Sequence, residues 1–178
     1  MGIREPLIEP EDNCGLAGAL EAMGERWSFM ILRAAFNGLK HFEEFQSELG
    51  IARNILSNRL AKLVDNGVLE RHILDSDRRK VEYRLTRKGG SLLPAMIALR
   101  QWGEKWIGAV DTNTVLVDAQ DLKPIRPIAI LSHDGRILKL SDLRWMNAED
   151  VTAIGGMDLF ESDGDAADSE SGDAIAAE

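Results

Sequence analysis

Two short amphipathic segments only three residues apart constrain this chain more than any other feature of it. Phe42, Phe45 and Leu49 recur at i, i+3 and i+7, which predicts a helix over 42–49. Leu56, Leu60, Leu63 and Val64 recur at i, i+4, i+7 and i+8, which predicts another over 53–66. Between them stand Gly50-Ile51-Ala52, and Asn66-Gly67 closes the second helix. Two short helices joined by a tight glycine-containing turn make a helix-turn-helix.

The flanks build on that unit. Leu16, Ala19, Leu20 and Met23 predict a helix over Cys14–Met23, with cap-type Asp12 and Asn13 before it and Gly24 after it. Trp27, Met30, Ile31, Ala34 and Ala35 share one face of a helix from about Trp27 to Asn37. Downstream the period changes. Val68–Leu74 and Val81–Thr86 alternate partly, and the polar run 75–80 (DSDRRK) separates them, which predicts a β-hairpin with a basic tip. Thr86 can cap a last long helix, Lys88–Ala109, and Pro94 favours a start near Ser91. Its apolar positions include Leu99, Trp102 and Trp106. Beyond Val110, Thr114–Val117 and Ile125–Ser132 read as strands, and Asp134-Gly135 reads as a turn to a return strand Arg136–Leu140. Ser141-Asp142 can cap a short helical turn.

Charge is informative only when divided. The chain of 178 residues carries a net −9, but residues 1–110 hold 16 basic and 15 acidic groups, and residues 111–178 hold 5 and 15. Residues 51–90 hold 10 basic and 5 acidic groups, so a basic stripe covers the helix-turn-helix and hairpin. Residues 158–178 carry 8 acidic groups and no basic ones, a composition that cannot bury enough surface to order itself.

Several functions are excluded or disfavoured. His41, His72 and His133 are far apart and lack a metal-ligand spacing, and no Walker, G-x-S-x-G or G-x-G-x-x-G loop exists. Asp163–Asp168 opens like a calcium loop but has Ala at the fifth position and Asp where glycine is needed at the sixth. One cysteine allows no internal disulfide framework. No apolar run is long enough to span a membrane, and the acidic N-terminus lacks a secretory h-region. A cytoplasmic protein without cofactor or metal is the expectation, and no nucleophile–base set suggests an enzyme.

Nucleic-acid chemistry fits better. On the helix over 53–66, Arg53, Asn54, Ser57 and Asn58 lie off the apolar face. Arg pairs bidentately with guanine, Asn with adenine, and Ser with either. Arg59 and Lys62 suit phosphates, as do Arg78, Arg79 and Lys80 on the hairpin, whose mutual repulsion a phosphate backbone would relieve. The bland alternative is a solvated polar helix face beside a solubilising turn.

The residues also resemble a family. Cys14, Gly24, Arg26-Trp27, Phe42, Phe45, Leu56, Arg59-Leu60, Leu63 and Asp65 to Leu69 follow the pattern of HxlR-type transcriptional regulators. Val81-Glu82-Tyr83, Leu85-Thr86, Gly89, Leu93 and Trp102 extend the match, which covers roughly 14–107. The resemblance implies a homodimer on double-stranded DNA, a recognition helix at 53–66, a wing at 75–80 and control of transcription, by default repression. The implied fold is α+β, mainly α: a winged helix-turn-helix with a long C-terminal dimerisation helix and a small β-hairpin extension. The expected parts are an arm (1–13), the DNA-binding domain (14–110), an accessory extension (111–157) and an acidic disordered tail (158–178).

This chain departs from the family pattern in three ways. The wing lacks the prolines common before Val-Glu-Tyr, the extension has no cysteine for a metal ribbon, and the acidic tail has no counterpart. A winged-helix protein-docking module is the competing reading, because fold alone does not fix function. Some relatives sense oxidants or electrophiles at the position of Cys14. A helix N-terminus favours its thiolate, Glu9, Glu11 and Asp12 oppose it, and inert packing is the alternative role.

Overall fold

The computed structural model describes residues 15–74, 77–108 and 114–146, and of residues 77–79 the backbone. Cys14, Asp75-Ser76, the side chains of Arg78 and Arg79, Ala109-Val110 and the acidic tail lie outside the described residues. The chain divides into two units, residues 7–138 and residues 1–6 with 139–178.

In the larger unit the elements run α1 (Gly15–Met23), α2 (Arg26–Phe36), α3 (Phe42–Leu49), α4 (Arg53–Asp65), β1 (Leu69–Leu74), β2 (Asp77–Leu85), α5 (Arg87–Gly90) and α6 (Leu93–Trp106). The expected mainly helical winged helix-turn-helix is therefore present. Leu56, Leu60 and Leu63 of α4 are buried, as the spacing predicts, together with Phe45 of α3 and Ile31, Leu32, Ala34 and Ala35 of α2. Ile51 fills the turn between α3 and α4, and Gly50 ends α3 at φ +59, where glycine avoids the Cβ clash.

The α4–β1 turn is locked to the β2–α5 turn. Thr86 Oγ1 donates to the Gly67 carbonyl at 2.6 Å and accepts the Gly89 amide at 3.0 Å, so Thr86 caps as expected. Lys88 Nζ donates to the Asn66 carbonyl at 2.9 Å. Gly89 passes so close to the chain that a Cβ there would stand 2.1 Å from the Val68 carbonyl oxygen.

Three expectations need correction. The second ribbon strand begins at Asp77 rather than Val81, so Arg78, Arg79 and Lys80 belong to β2 and not to a loop tip. Ile73 pairs with Val81 but Leu74 pairs with Asp77, leaving 78–80 as an irregular insertion in the antiparallel ladder. The outer end of the ribbon, where Ile73 is exposed, tolerates such a slip, because the buried Leu69 pins the register only at the inner end. The last long helix is divided at Ser91-Leu92 into α5 and α6, with Pro94 in the first turn of α6, close to the start that proline favoured. Lastly, the extension holds isolated bridges, Val117 with Pro124 and Leu131 with Ile137, in place of the expected strands. Prolines 124 and 127 lack the amide a ladder needs. The Asp134-Gly135 reversal itself is present, with Gly135 at φ +84 and the Ser132 amide donating to the Arg136 carbonyl at 2.9 Å.

In the smaller unit, Leu140–Asp142 form one 3-10 turn, and Asp142 accepts the Lys139 amide at 2.8 Å.

Candidate nucleic-acid interface

The candidate surface starts at the N-terminal half of α4. Burial of Leu56 and Leu60 turns the positions beside them outward, and Arg53, Asn54, Ser57 and Asn58 are all exposed. Four side chains able to pair with base edges thus share one face. The Arg53 guanidinium lies over the Phe42 ring, 4.9 Å from its centroid, so a cation–π contact orients the first of them.

The ribbon reaches the same end of α4. Arg53, Lys80, His41, Phe42, Glu43, Val81 and Tyr83 enclose a crevice of about 480 Å³. Arg53 and the exposed Lys80 bring two cations from separate elements to its walls. The ribbon's position follows from its attachment to the segment before α3. The Tyr83 amide donates to the Lys40 carbonyl at 2.7 Å, and His41 Nδ1 donates to the Val81 carbonyl at 3.1 Å. His41 Nε2 also stands 3.8 Å from Glu82 Oε1. On the other side Arg84 grips Glu82 at 2.7 Å and holds that carboxyl below its ordinary range.

The start of α3 is fixed by Glu44, whose Oε2 accepts the amides of His41 at 2.9 Å and Lys40 at 3.0 Å. Those two backbone donors lower the Glu44 pKa. This is half of a capping box, with the third helical residue reaching back to the chain before the helix.

The structure does not gather every predicted residue on this face. Arg59 Nη2 pairs with Glu25 Oε2 at 2.9 Å, and Arg59 and Lys62 both stand beside Gly24, at the α1–α2 turn. They flank the face of Arg53, Asn54, Ser57 and Asn58 and do not lie within it. The sequence marks Phe42 as a core position of its helix and assigns His41 no site role, whereas the first supports Arg53 and the second ties the ribbon to the domain. The His41–Val81 contact spans forty positions, and no local pattern announces it.

Comparison with known proteins identifies the family of the helix-turn-helix domain. The family model of HxlR-like helix-turn-helix proteins matches residues 22–111. An HTH-type transcriptional regulator of Mycobacterium tuberculosis is 45% identical over 89 residues, 50% of this chain and 56% of that protein. The chain thus spans about half the length of that curated relative. The crystal structure of PA1607 superposes with TM-score 0.71 at 39% identity, covering 76% of this chain and 96% of that one. PA1374 of Pseudomonas aeruginosa superposes with TM-score 0.55 at 33% identity, covering 75% and 92%. No helix among the described residues is long and apolar enough to cross a membrane.

Proposed function

We propose that this chain, which belongs to the HxlR-like helix-turn-helix family, is a dimeric, sequence-specific DNA-binding regulator of transcription that acts as a repressor. The observation that carries the reading is the exposed face of Arg53, Asn54, Ser57 and Asn58, met at its N-terminal end by Lys80 on the ribbon. The α4 face enters the major groove and reads base edges, while the ribbon lies along the adjoining backbone. Arg78 and Arg79 add phosphate contacts from the same strand, and Arg59 and Lys62 contribute at the flank. The names of the relatives point to regulation, not catalysis.

A dimer supplies two such faces. Leu16 and Leu20 of α1 and Leu99, Trp102 and Trp106 of α6 are exposed, and α6 has no buried residue at all. A single chain leaves these stripes in water, so a second copy is their natural cover. A two-fold dimer puts its recognition helices one DNA turn, ~34 Å, apart or a multiple of that, and its operator is an imperfect palindrome.

The test is selection of DNA by the purified full chain from a random pool, followed by titration against salt. A palindromic consensus, bound with an affinity that falls steeply as salt rises, is expected. Equal affinity for every sequence, or no DNA binding at all, overturns the reading in favour of a protein-docking module. A reporter placed behind the selected site then separates repression from activation.

A further inference from the structure

Residues 114–138 form an arm with a definite backbone and no buried residue. Its first reversal is closed by the Asp118 amide on the Lys123 carbonyl at 2.9 Å and the Ile125 amide on the Leu116 carbonyl at 3.2 Å. Its second is closed by Ser132 on Arg136 and by the Leu138 amide on the Ile130 carbonyl at 2.8 Å. The arm is tied to α6 through Gln101, whose Oε1 accepts the Ile128 amide at 2.8 Å and whose Nε2 donates to the Arg126 carbonyl at 3.5 Å. Its apolar side chains include Leu116, Ile125, Ile128, Ile130, Leu131 and Ile137, all exposed and the last at 73%. Fixing a backbone costs about 1–2 kcal/mol per residue, and within its own chain this arm has almost no burial to oppose that cost.

We propose that residues 114–138 are a second dimerisation element that packs against another copy of this chain, continuing the contact that α1 and α6 begin. The proposal rests on the dimeric reading above and adds to it a surface outside the family match. Three observations favour a second copy as the occupant. The first is attachment, because the arm is anchored through Gln101 to α6, the helix that also carries Leu99, Trp102 and Trp106.

The second is charge. Asp118, Asp121 and Asp134 are balanced by Lys123, Arg126 and Arg136. Lys123 pairs with Asp121 at 2.8 Å and Arg136 with Asp134 at 2.9 Å. A two-fold contact sets a patch near its own copy, so a charged patch repels itself and a neutral, internally paired one does not. The rest of the extension and tail is acidic, which makes this neutrality local.

The third is area. Permanent homodimers bury roughly 1,000–2,500 Å² on each partner, against ~800 Å² for an interface of standard size. The exposed parts of five apolar side chains on α1 and α6 reach about the lower figure, since even a whole aromatic side chain buries only ~150–250 Å². The arm's apolar side chains carry the surface into the permanent class. The superposition on PA1607 covers 76% of this chain, about 135 of its 178 residues, so it extends past residue 111 into this extension.

The test is sedimentation equilibrium of the full chain beside two variants, Ile128→Glu/Ile130→Glu on the arm and Leu16→Glu/Trp106→Glu on the helices. All four positions are exposed, so far-ultraviolet circular dichroism should be unchanged and report that folding survives. The arm variant is expected to raise the dimer dissociation constant by ~30-fold or more, the loss that removal of a hot spot produces. A second readout needs no variant: the Ile125 and Leu138 amides should exchange slowly only at concentrations where the wild type is dimeric. If the helix variant dissociates and the arm variant stays within about threefold of wild type, the arm proposal fails and the dimeric reading stands. A wild type that is monomeric throughout overturns both.

Discussion

Residues 23–69 and residues 93–138 are both rich in apolar side chains, and they use them in opposite ways. In the first region Met23, Ile31, Leu32, Phe45, Leu56, Leu60, Leu63, Val68 and Leu69 close on one another. In the second no described residue is buried, although Leu99, Trp102, Trp106, Ile128 and Ile130 are as apolar as any of those. Hydrophobic periodicity therefore states that a face will be covered and not by what. Where the covering elements are in the same chain, a domain results. Where they are not, the face stays exposed, and here it belongs to the same unit as the outward face of α4 that carries Arg53, Asn54, Ser57 and Asn58.

Substitutions that strike the first region should fail inside one chain. Leu60→Ala is expected to cost about 2–5 kcal/mol, the range for a large-to-small change in a closed core. Gly89→Ala should cost about 1–3 kcal/mol, since its methyl would meet the Val68 carbonyl at 2.1 Å and either α5 or the chain before β1 must move. Leu60→Ala should lower the melting temperature by at least ~8 °C and Gly89→Ala by at least ~4 °C, at about 4–8 °C per kcal/mol for a domain of this size. Trp106→Ala should leave a dilute, monomeric sample's denaturant midpoint nearly unchanged. If Trp106→Ala unfolds the monomer as Leu60→Ala does, the contrast between the two regions is wrong.

The next contrast lies within the interface. Asn54→Ala should weaken preference for one base pair in each half-site by about 1–3 kcal/mol and leave random DNA alone. Lys80→Ala should weaken both kinds of DNA and reduce the salt slope by ~0.9 for each phosphate lost. Competition titrations on selected and scrambled duplexes distinguish the two. Equal losses on both duplexes from both substitutions would remove the division between the reading helix and the positioning ribbon.

Much of the domain was legible in the sequence because its determinants are local. The i, i+4, i+7 spacing of Leu56, Leu60 and Leu63 and the stop at Gly50 each act within a few residues, and the helices appear where they predict. The cap at Thr86 was legible for the same reason. The ribbon's start and the extension were not. Pairing of Leu74 with Asp77 depends on a slip that a half-exposed ladder permits, and charge alone suggested a loop. The extension alternates as strands do, but prolines 124 and 127 limit pairing to single bridges. Within the site, the exposed face of α4 followed from its buried one. The pairing of Arg59 with Glu25 and the stacking of Arg53 on Phe42 needed the tertiary fold.

The smallest expected effect concerns acid, and it sharpens the same comparison at the edge of the core. The amides of His41 and Lys40 hold the Glu44 carboxyl below its ordinary range. A carboxylate whose folded pKa is lowered stabilises the fold fully above its unfolded pKa, and that contribution is lost as the pH falls through the folded value. Glu44→Gln keeps an acceptor but removes the charge, so it should cost a few tenths of a kcal/mol to about 1 kcal/mol at pH 7, the scale of an exposed cap. The variant and the wild type should converge in stability as the pH falls through the lowered pKa of folded Glu44 and its carboxyl becomes neutral. Denaturant midpoints measured from pH 7 to 3 test this. Because Glu44 fixes the start of α3, and the neighbouring His41 holds the ribbon, the same series read by DNA affinity should show a loss in Glu44→Gln at pH 7. A difference between the two proteins that stays constant down to pH 3 would mean that the charge on Glu44 does not hold this corner.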